Sequence, residues 1–143
     1  MPRIFTRNVN YERKLKMEEL KISDEDTFYD LFIKVSKAHE KLFRNATLES
    51  QCAKFDEEFE EFKNATDGED ICYEYADCFI VAAGIYRFSK GLGECLGKLL
   101  VTDLGKNDDL RSQLAYAIVD KMNKNIHRKW NNKDGYYKHT SIN

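Results

Sequence analysis

The sequence is poor in residues that interrupt helices, and its cysteines are not arranged in pairs. It contains one proline and seven glycines in 143 residues, which argues against a fold built from many turn-rich strands. None of the four cysteines belongs to a Cys-x-x-Cys pair. We therefore predict that the thiols are small buried hydrophobes rather than members of a disulfide framework.

Long apolar runs and an excess of one charge sign are also missing. The N-terminus has no apolar core of signal-peptide length, and no stretch approaches the length of a membrane span, which predicts a cytoplasmic protein without a membrane partner. The net charge is -2, and the 34% of charged residues are mixed in sign. This balance gives no overall attraction to nucleic acid, so no nucleic-acid partner is expected.

The apolar residues that are present recur at helical spacing and predict an all-α fold in a single domain, residues 1–143. A basic arm (1–22) precedes a helical core (23–130), and an aromatic tail (131–143) follows it. The first predicted long helix is capped by Ser23 or Asp24, and the other three cover residues 48–63, 70–88 and 110–130. The glycine-rich segment between the last two is predicted to be a broken connection with a short helix in it.

The second predicted helix carries phenylalanines on one face and glutamates beside it. At about 100° per residue, its core face consists of Phe55, Phe59 and Phe62. Glu58 and Glu61 lie on one flank of that face. Glu57 and Glu60 point to the opposite side, where a solvated glutamate face is the ordinary interpretation.

The third predicted helix is almost continuously apolar, yet Glu74 and Asp77 interrupt it. Carboxylates on an apolar helix need a partner, because desolvating a charge is costly. If the second and third helices form an antiparallel hairpin about the turn at 67–68, Glu61 faces Glu74 and Glu58 faces Asp77. The sequence therefore predicts four converging carboxylates in a helical bundle built on this hairpin.

Four crowded carboxylates require a cation, because like charges this close cannot all remain ionised. Ligation by carboxylate oxygens alone suits a hard divalent ion, and we predict Mg²⁺, with Mn²⁺ as a possible substitute. A di-iron helical bundle would need Glu-x-x-His pairs. The sequence contains none.

The last long helix begins apolar and ends cationic along one stripe. Leu114 and Ile118 are followed at helical spacing by Lys121, Asn125 and Arg128. Such a face can pack in the core at one end and bind phosphate oxygens at the other. The alternative is an ordinary basic C-terminal turn favoured by the helix dipole.

The histidines and the C-terminal aromatic residues have less specific signatures. No metal-ligand spacing relates the histidines, which are predicted to lie on the surface or in the tail: His39, His127 and His139. Two roles remain open for the aromatic residues Trp130, Tyr136 and Tyr137. They can stack on a base or pack on an oligomer surface.

The motif "QCAKFDEEFEEF" followed by "EYADCFIVAAGI" resembles the Glu-x-x-Glu, spacer, Glu-x-x-Asp signature of the MazG-like all-α nucleoside triphosphate pyrophosphohydrolases. "KMNKNIHRKW" is similar to the basic end of a later helix in that superfamily. The resemblance covers residues 46–130. The positions that match the signature are Gln51, Lys54, Glu57, Glu58, Glu61, Glu74 and Asp77.

This resemblance implies hydrolysis of a nucleoside triphosphate between the α and β phosphates, which yields a monophosphate and pyrophosphate. The residues expected to hold Mg²⁺ and support catalysis are Glu58, Glu61, Glu74 and Asp77. The residues expected to bind substrate are Lys54, Lys121, Asn125 and Arg128. The resemblance also implies a homodimer or homotetramer.

Two other functions fit the same residues. One is hydrolysis by the same chemistry of a different substrate, either phosphoribosyl-ATP or another diphosphate-containing compound. The other is a non-catalytic module in which the acidic helices dock on a basic partner. The docking module predicts that Glu57 and Glu60 matter as much as Glu58 and Asp77.

Overall fold

Helices dominate the part of the chain that the structure describes. The structure is a computed structural model and describes residues 17–102 and 108–140. Its elements are α1 (Phe28–Leu42), α2 (Leu48–Asn64), α3 (Gly68–Tyr86), α4 (Lys90–Thr102), α5 (Asp108–His127), β1 (Trp130–Lys133) and β2 (Tyr136–His139). The predicted helical class is confirmed, and the structure adds one small two-stranded sheet.

A capping box fixes the start of α1 later than the sequence predicts. The Thr27 hydroxyl accepts from the Asp30 backbone N–H at 3.0 Å, and the Asp30 carboxylate accepts from the Thr27 N–H at 2.9 Å. The predicted cap at Ser23 or Asp24 is wrong, because Thr27 is the N-cap. The Ser23 N–H instead donates to the Asp26 carboxylate at 2.9 Å, in a separate turn before the helix.

Short polar residues also set the starts of α2 and α3. Thr47 caps α2 through reciprocal hydrogen bonds with Ser50. The Asp67 carboxylate accepts from the Glu69 N–H at 2.8 Å and caps α3. This cap places Gly68 in the first turn of α3, two residues before the predicted start.

The glycine-rich segment after α3 forms one helix over Lys90–Thr102, longer than the short helix predicted there, and residues 103–107 of the predicted connection lie outside the described residues. At Gly93, an added Cβ would lie 2.4 Å from the Tyr86 Cα. At Gly97, it would lie 3.1 Å from the Phe32 ring. These glycines therefore allow α4 to approach its neighbours closely, and that packing outweighs their low helix propensity.

The C-terminal segment is a β-hairpin, which the sequence analysis missed. α5 ends at His127, so the predicted helix to residue 130 is too long. Trp130 pairs with His139 across antiparallel strands. Between the strands, Asp134 and Gly135 adopt positive φ values of 55° and 89°. Asp-Gly is a strong signal for such a two-residue turn.

Hydrogen bonds fasten the hairpin to the helical part of the described chain. The Asn45 N–H donates to the Tyr137 hydroxyl at 3.1 Å, in the connection between α1 and α2. The Trp130 indole N–H donates to the Asn125 carbonyl at 2.8 Å, near the end of α5. The predicted aromatic tail thus forms part of the folded domain.

The apolar helix α3 lies at the centre and contacts each of the other four helices. Phe79 is fully buried and makes edge-to-face contacts with Phe28 and Phe32 of α1. All four cysteines are free, as predicted, although Cys95 is exposed and only Cys78 is fully buried. None of the described helices has the length and apolar character needed to cross a membrane.

Part of the predicted N-terminal arm is attached to α5. Residues 1–16 lie outside the described residues. The Leu20 N–H donates to the Asn123 side-chain oxygen at 2.7 Å, and the Leu20 carbonyl accepts from the Asn123 amide at 3.3 Å. The described end of the arm is therefore anchored to α5.

Candidate functional site

The inward stripe of α2 is more polar than its phenylalanines suggest. Gln51 and Glu58 are buried, whereas Phe55 and Phe62 are half-buried. These four positions recur at spacings of three and four residues and form one face. Phe59 lies beside that face and is 38% exposed, so its assignment to the core is wrong.

Three of the four predicted metal ligands come together between α2 and α3. Glu58, Glu61 and Glu74 each offer a carboxylate oxygen, and these oxygens lie within 4.8 Å of one another. Asp77 is not a member of this trio, but its charge helps to raise the pKa of both Glu58 and Glu74. The sequence therefore identified a carboxylate cluster that the tertiary structure forms.

All four carboxylates affect the pKa of Cys78, which is buried in α3. Burial raises the pKa of the Cys78 thiol to about 12, and the negative charges of the four carboxylates add to this effect. These carboxylates are Glu58, Asp77, Glu74 and Glu61. Asp77 thus belongs to the same electrostatic environment as the trio.

Glu58 occupies the least favourable position for a negative charge. It is only 8% exposed. Burial is the main cause that raises the pKa of Glu58 to about 7, and the charge of Asp77 contributes next. Burial and the charges of Asp77 and Glu61 also raise the pKa of Glu74.

Two carboxylate oxygens of the cluster are buried without a hydrogen-bond partner in the described part of the chain: Glu58 Oε1 and Glu74 Oε1. An unpaired buried carboxylate oxygen is costly. Clustered carboxylate oxygens are also the donors that hard divalent cations prefer. The donor set therefore fits a Mg²⁺-type ion.

Cationic side chains offset part of the negative charge. The Lys54 Nζ lies 3.4 Å from Glu57 Oε1 and 3.3 Å from Glu58 Oε2. The Lys121 Nζ of α5 lies 3.3 Å from Asp77 Oδ1. Lys121 therefore acts as a counter-ion for Asp77, a partner that the sequence analysis did not foresee.

Asn125 and Arg128 lie farther along α5. Asn125 is buried, and its side-chain oxygen accepts from the Arg128 guanidinium at 3.3 Å. Its backbone carbonyl accepts from the Trp130 indole. Asn125 therefore orients a cation and an aromatic ring together, which its position on a basic stripe does not reveal.

One open cleft of about 570 Å³ joins these groups. All eight predicted site residues line it, namely Lys54, Glu58, Glu61, Glu74, Asp77, Lys121, Asn125 and Arg128. Glu57 also lines the cleft, although its helical spacing predicted it to lie on the solvated side. Glu60 pairs instead with exposed Lys63 at 3.3 Å.

Aromatic residues form another part of the same cleft. Trp130, Tyr136 and Tyr137 of the hairpin line it together with Phe43. The Phe43 ring lies 4.8 Å from Trp130 and 5.0 Å from Tyr137, centroid to centroid. The cleft thus combines carboxylates and cations with a supported aromatic wall.

His39 is a cleft residue that the sequence analysis placed wrongly. It is only 2% exposed, and its imidazole hydrogen-bonds to Gln51 at 3.0 Å and to Arg87 at 3.1 Å. At Gly84 of α3, an added Cβ would lie 2.4 Å from the His39 ring. The pairing of Gly84 with a histidine in another helix has no local sequence signal.

No protein-family model, curated protein or solved structure matches this chain.

Proposed function

We propose that this protein is a Mg²⁺-dependent nucleoside triphosphate pyrophosphohydrolase that cleaves between the α and β phosphates. The observation that carries the proposal is the combination, in one cleft, of a carboxylate trio, basic side chains and an aromatic wall. A nucleotide has two parts that match this cleft: a polyanionic phosphate chain for the metal ligands and basic side chains, and a flat base for the aromatic wall. The Glu-x-x-Glu and Glu-x-x-Asp resemblance points to the same substrate class.

The metal ligands in this proposal are Glu58, Glu61 and Glu74, with Asp77 as the fourth carboxylate. The buried unpaired oxygens of Glu58 and Glu74 support this assignment. When bound, Mg²⁺ supplies positive charge and Lewis acidity for the phosphate oxygens. Residues on α2 and α3, contributed from the two sides of an antiparallel hairpin, would hold it.

Lys54, Lys121 and Arg128 are the proposed phosphate ligands. Lys54 and Lys121 already form ion pairs with carboxylates. A bound phosphate would therefore share each cation with its carboxylate partner. Arg128 is positioned by the buried Asn125 side chain. In the reaction, water adds to the α-phosphorus and gives up a proton to solvent, the bond from that phosphorus to the α–β bridging oxygen breaks, and pyrophosphate leaves. The three cations stabilise the charge that develops on the phosphate oxygens.

We propose that the base of the nucleotide binds against the aromatic wall of the cleft. Trp130 is held by its hydrogen bond to Asn125 and by the Phe43 ring. Tyr137 is held by Asn45 and by the same ring. Rings fixed in this way can stack on a base with little loss of side-chain freedom.

We propose further that the protein acts as a homodimer or homotetramer. Large apolar side chains remain exposed on several helices, including Leu48, Phe59, Ile71, Leu99 and Tyr116. A second copy of the chain would remove part of this surface from water. Light scattering of the purified protein measures the mass directly.

The function is tested by incubating a panel of ribo- and deoxyribonucleoside triphosphates with the protein and Mg²⁺. We expect monophosphate and pyrophosphate in equal amounts, and no turnover in EDTA. Release of diphosphate and inorganic phosphate would place the cleavage at the wrong bond. Turnover restricted to phosphoribosyl-ATP or to a non-nucleotide diphosphate would favour the alternative substrate class.

A further inference from the structure

A hydrogen-bonded series of side chains leads from half-buried Arg87 through buried His39 and Gln51 to the cleft. The Arg87 guanidinium approaches His39 Nδ1 at 3.1 Å. Arg87 also donates to the Phe43 carbonyl at 2.8 Å, which anchors its position. A guanidinium has donors only, so His39 Nδ1 must be the acceptor.

This acceptor role determines the tautomer of His39. With Nδ1 unprotonated, the neutral ring carries its proton on Nε2. Burial and the Arg87 charge lower the pKa of His39 to about 3, which keeps the ring neutral at physiological pH. The Nε2–H therefore donates to Gln51 Oε1 at 3.0 Å.

The tautomer in turn determines the orientation of the Gln51 amide. A glutamine amide can usually turn over and present either its oxygen or its nitrogen. Here the oxygen must face the His39 Nε2–H, because a donor facing a donor would be repulsive. The Gln51 NH₂ group is consequently on the other side of the amide, and in the described chain it has no hydrogen-bond partner.

Gln51 lines the cleft. It lies near the aromatic wall, since the ring of its partner His39 is 4.9 Å from the Phe43 ring of that wall, centroid to centroid. It also precedes Glu58 by seven residues of α2, about 10 Å along the helix axis. That separation matches the length of a nucleotide from its base to its phosphates. Gln51 is thus placed at the base end of the cleft.

We propose that Gln51 is a specificity-determining residue that donates from its NH₂ group to the exocyclic oxygen at the position where oxo and amino bases differ, which is O4 of uracil or O6 of hypoxanthine. His39 and Arg87 are positioning residues that hold the amide in this orientation. The site would then prefer an oxo-substituted base to its amino counterpart, uracil over cytosine or hypoxanthine over adenine. The inference deepens the proposed function and rests on its assignment of the cleft to nucleotides.

Two pairs of monophosphates test the preference without catalysis. Binding of UMP against CMP, and of IMP against AMP, is measured by calorimetry in EDTA. We expect the oxo member to bind roughly tenfold more tightly in the pair whose ring size fits the cleft, since the amino member sets donor against donor. Equal affinities in both pairs, or no binding of any monophosphate, would overturn the inference.

Gln51→Glu provides the matched variant, because it replaces the NH₂ donor with an oxygen of the same size. We expect it to abolish or reverse the oxo preference, whereas Glu60→Gln on the outer side of α2 keeps it. Gln51→Met, which has neither donor nor acceptor, should remove the preference without reversing it. An unchanged preference in either folded Gln51 variant would contradict the role of the amide.

The wild-type result decides the inference if neither variant folds. Oxo-selective binding without hydrolysis of any triphosphate would preserve the inference and refute the proposed function. Hydrolysis of triphosphates with equal affinity for oxo and amino bases would do the opposite.

Discussion

At the residue scale, Glu58 shows how position changes the chemistry of a glutamate. Glu57, Glu58, Glu60 and Glu61 follow one another in a single helix, yet only Glu58 is buried. Burial and the charge of Asp77 raise its pKa to about 7. The same cluster includes Glu61, which is exposed but contributes to the trio.

Glu60 and Glu61 form a matched pair for testing the carboxylate site. Glu61→Gln should reduce Mg²⁺-dependent hydrolysis at least a hundredfold, because it removes a proposed metal ligand. Glu60→Gln should retain activity within about twofold, since Glu60 pairs only with exposed Lys63 among the described residues. Turnover is measured on the best triphosphate of the panel. Indistinguishable activities would favour the acidic docking surface instead.

His39 should make the stability of the protein sensitive to acid. Its folded pKa is about 3, below the ordinary value of 6.5, so the unfolded chain binds the proton more readily. The contribution of the neutral ring is therefore fully present above pH 6.5 and declines as the pH falls towards 3. At pH 5, the free energy of unfolding should have lost about 2 kcal/mol from this group.

Urea unfolding at several pH values measures this loss. His39→Gln cannot titrate, so it should be less stable than wild type at pH 7.5 but should lose less stability on acidification. The carboxylates with raised pKa values change stability in the opposite direction in both proteins, and the comparison cancels their effect. Parallel pH profiles would show that His39 is not buried in its neutral form.

At the element scale, α4 depends on where its glycines lie rather than on how many it contains. Gly91 has no atom within 4 Å of an added Cβ, whereas Gly93 is in close contact with the Tyr86 backbone. The two glycines are separated by one residue of the same helix. Substitutions at these two positions therefore distinguish the effect of helix propensity on stability from the effect of packing.

Gly93→Ala should destabilise the fold by about 2 kcal/mol or more, because α3 and α4 must move apart to admit the methyl group. Gly91→Ala should be neutral or stabilising by about 0.5–1 kcal/mol, since alanine has the higher helix propensity. Chemical denaturation followed by circular dichroism measures both changes. Equal effects would mean that the close contact between α3 and α4 is absent.

At the scale of the whole molecule, the carboxylate cluster should couple metal binding to folding. Mg²⁺ that binds only the folded protein stabilises it in proportion to occupancy. We therefore expect the melting temperature to rise with Mg²⁺ concentration at pH 8 and to fall on addition of EDTA. Asp77→Asn removes one negative charge, so it should weaken this dependence and abolish turnover.

Differential scanning fluorimetry across a Mg²⁺ titration measures the coupling. Glu60→Gln serves as the control for a charge change outside the cluster and should titrate like wild type. A melting temperature that does not respond to Mg²⁺ or EDTA would argue against a cation at Glu58, Glu61 and Glu74.

The sequence by itself determined the helical class, the bounds of α2 to within one residue and the residues of the carboxylate trio. These features depend on local information: capping residues, helical spacing and charges three residues apart. The two-residue hairpin turn was also encoded locally, in Asp134 and Gly135. An Asp-Gly pair favours such a turn through its own backbone preferences.

Only the tertiary structure decided which partners each side chain meets. It placed His39 against Gly84, paired Lys121 with Asp77 and left Phe59 at the surface. Each outcome depends on the approach of another element, and a periodic pattern within one helix contains no information about the residue across from it. Local spacing can therefore identify the carboxylates of this site, whereas their counter-ions and the aromatic wall are set by packing between elements.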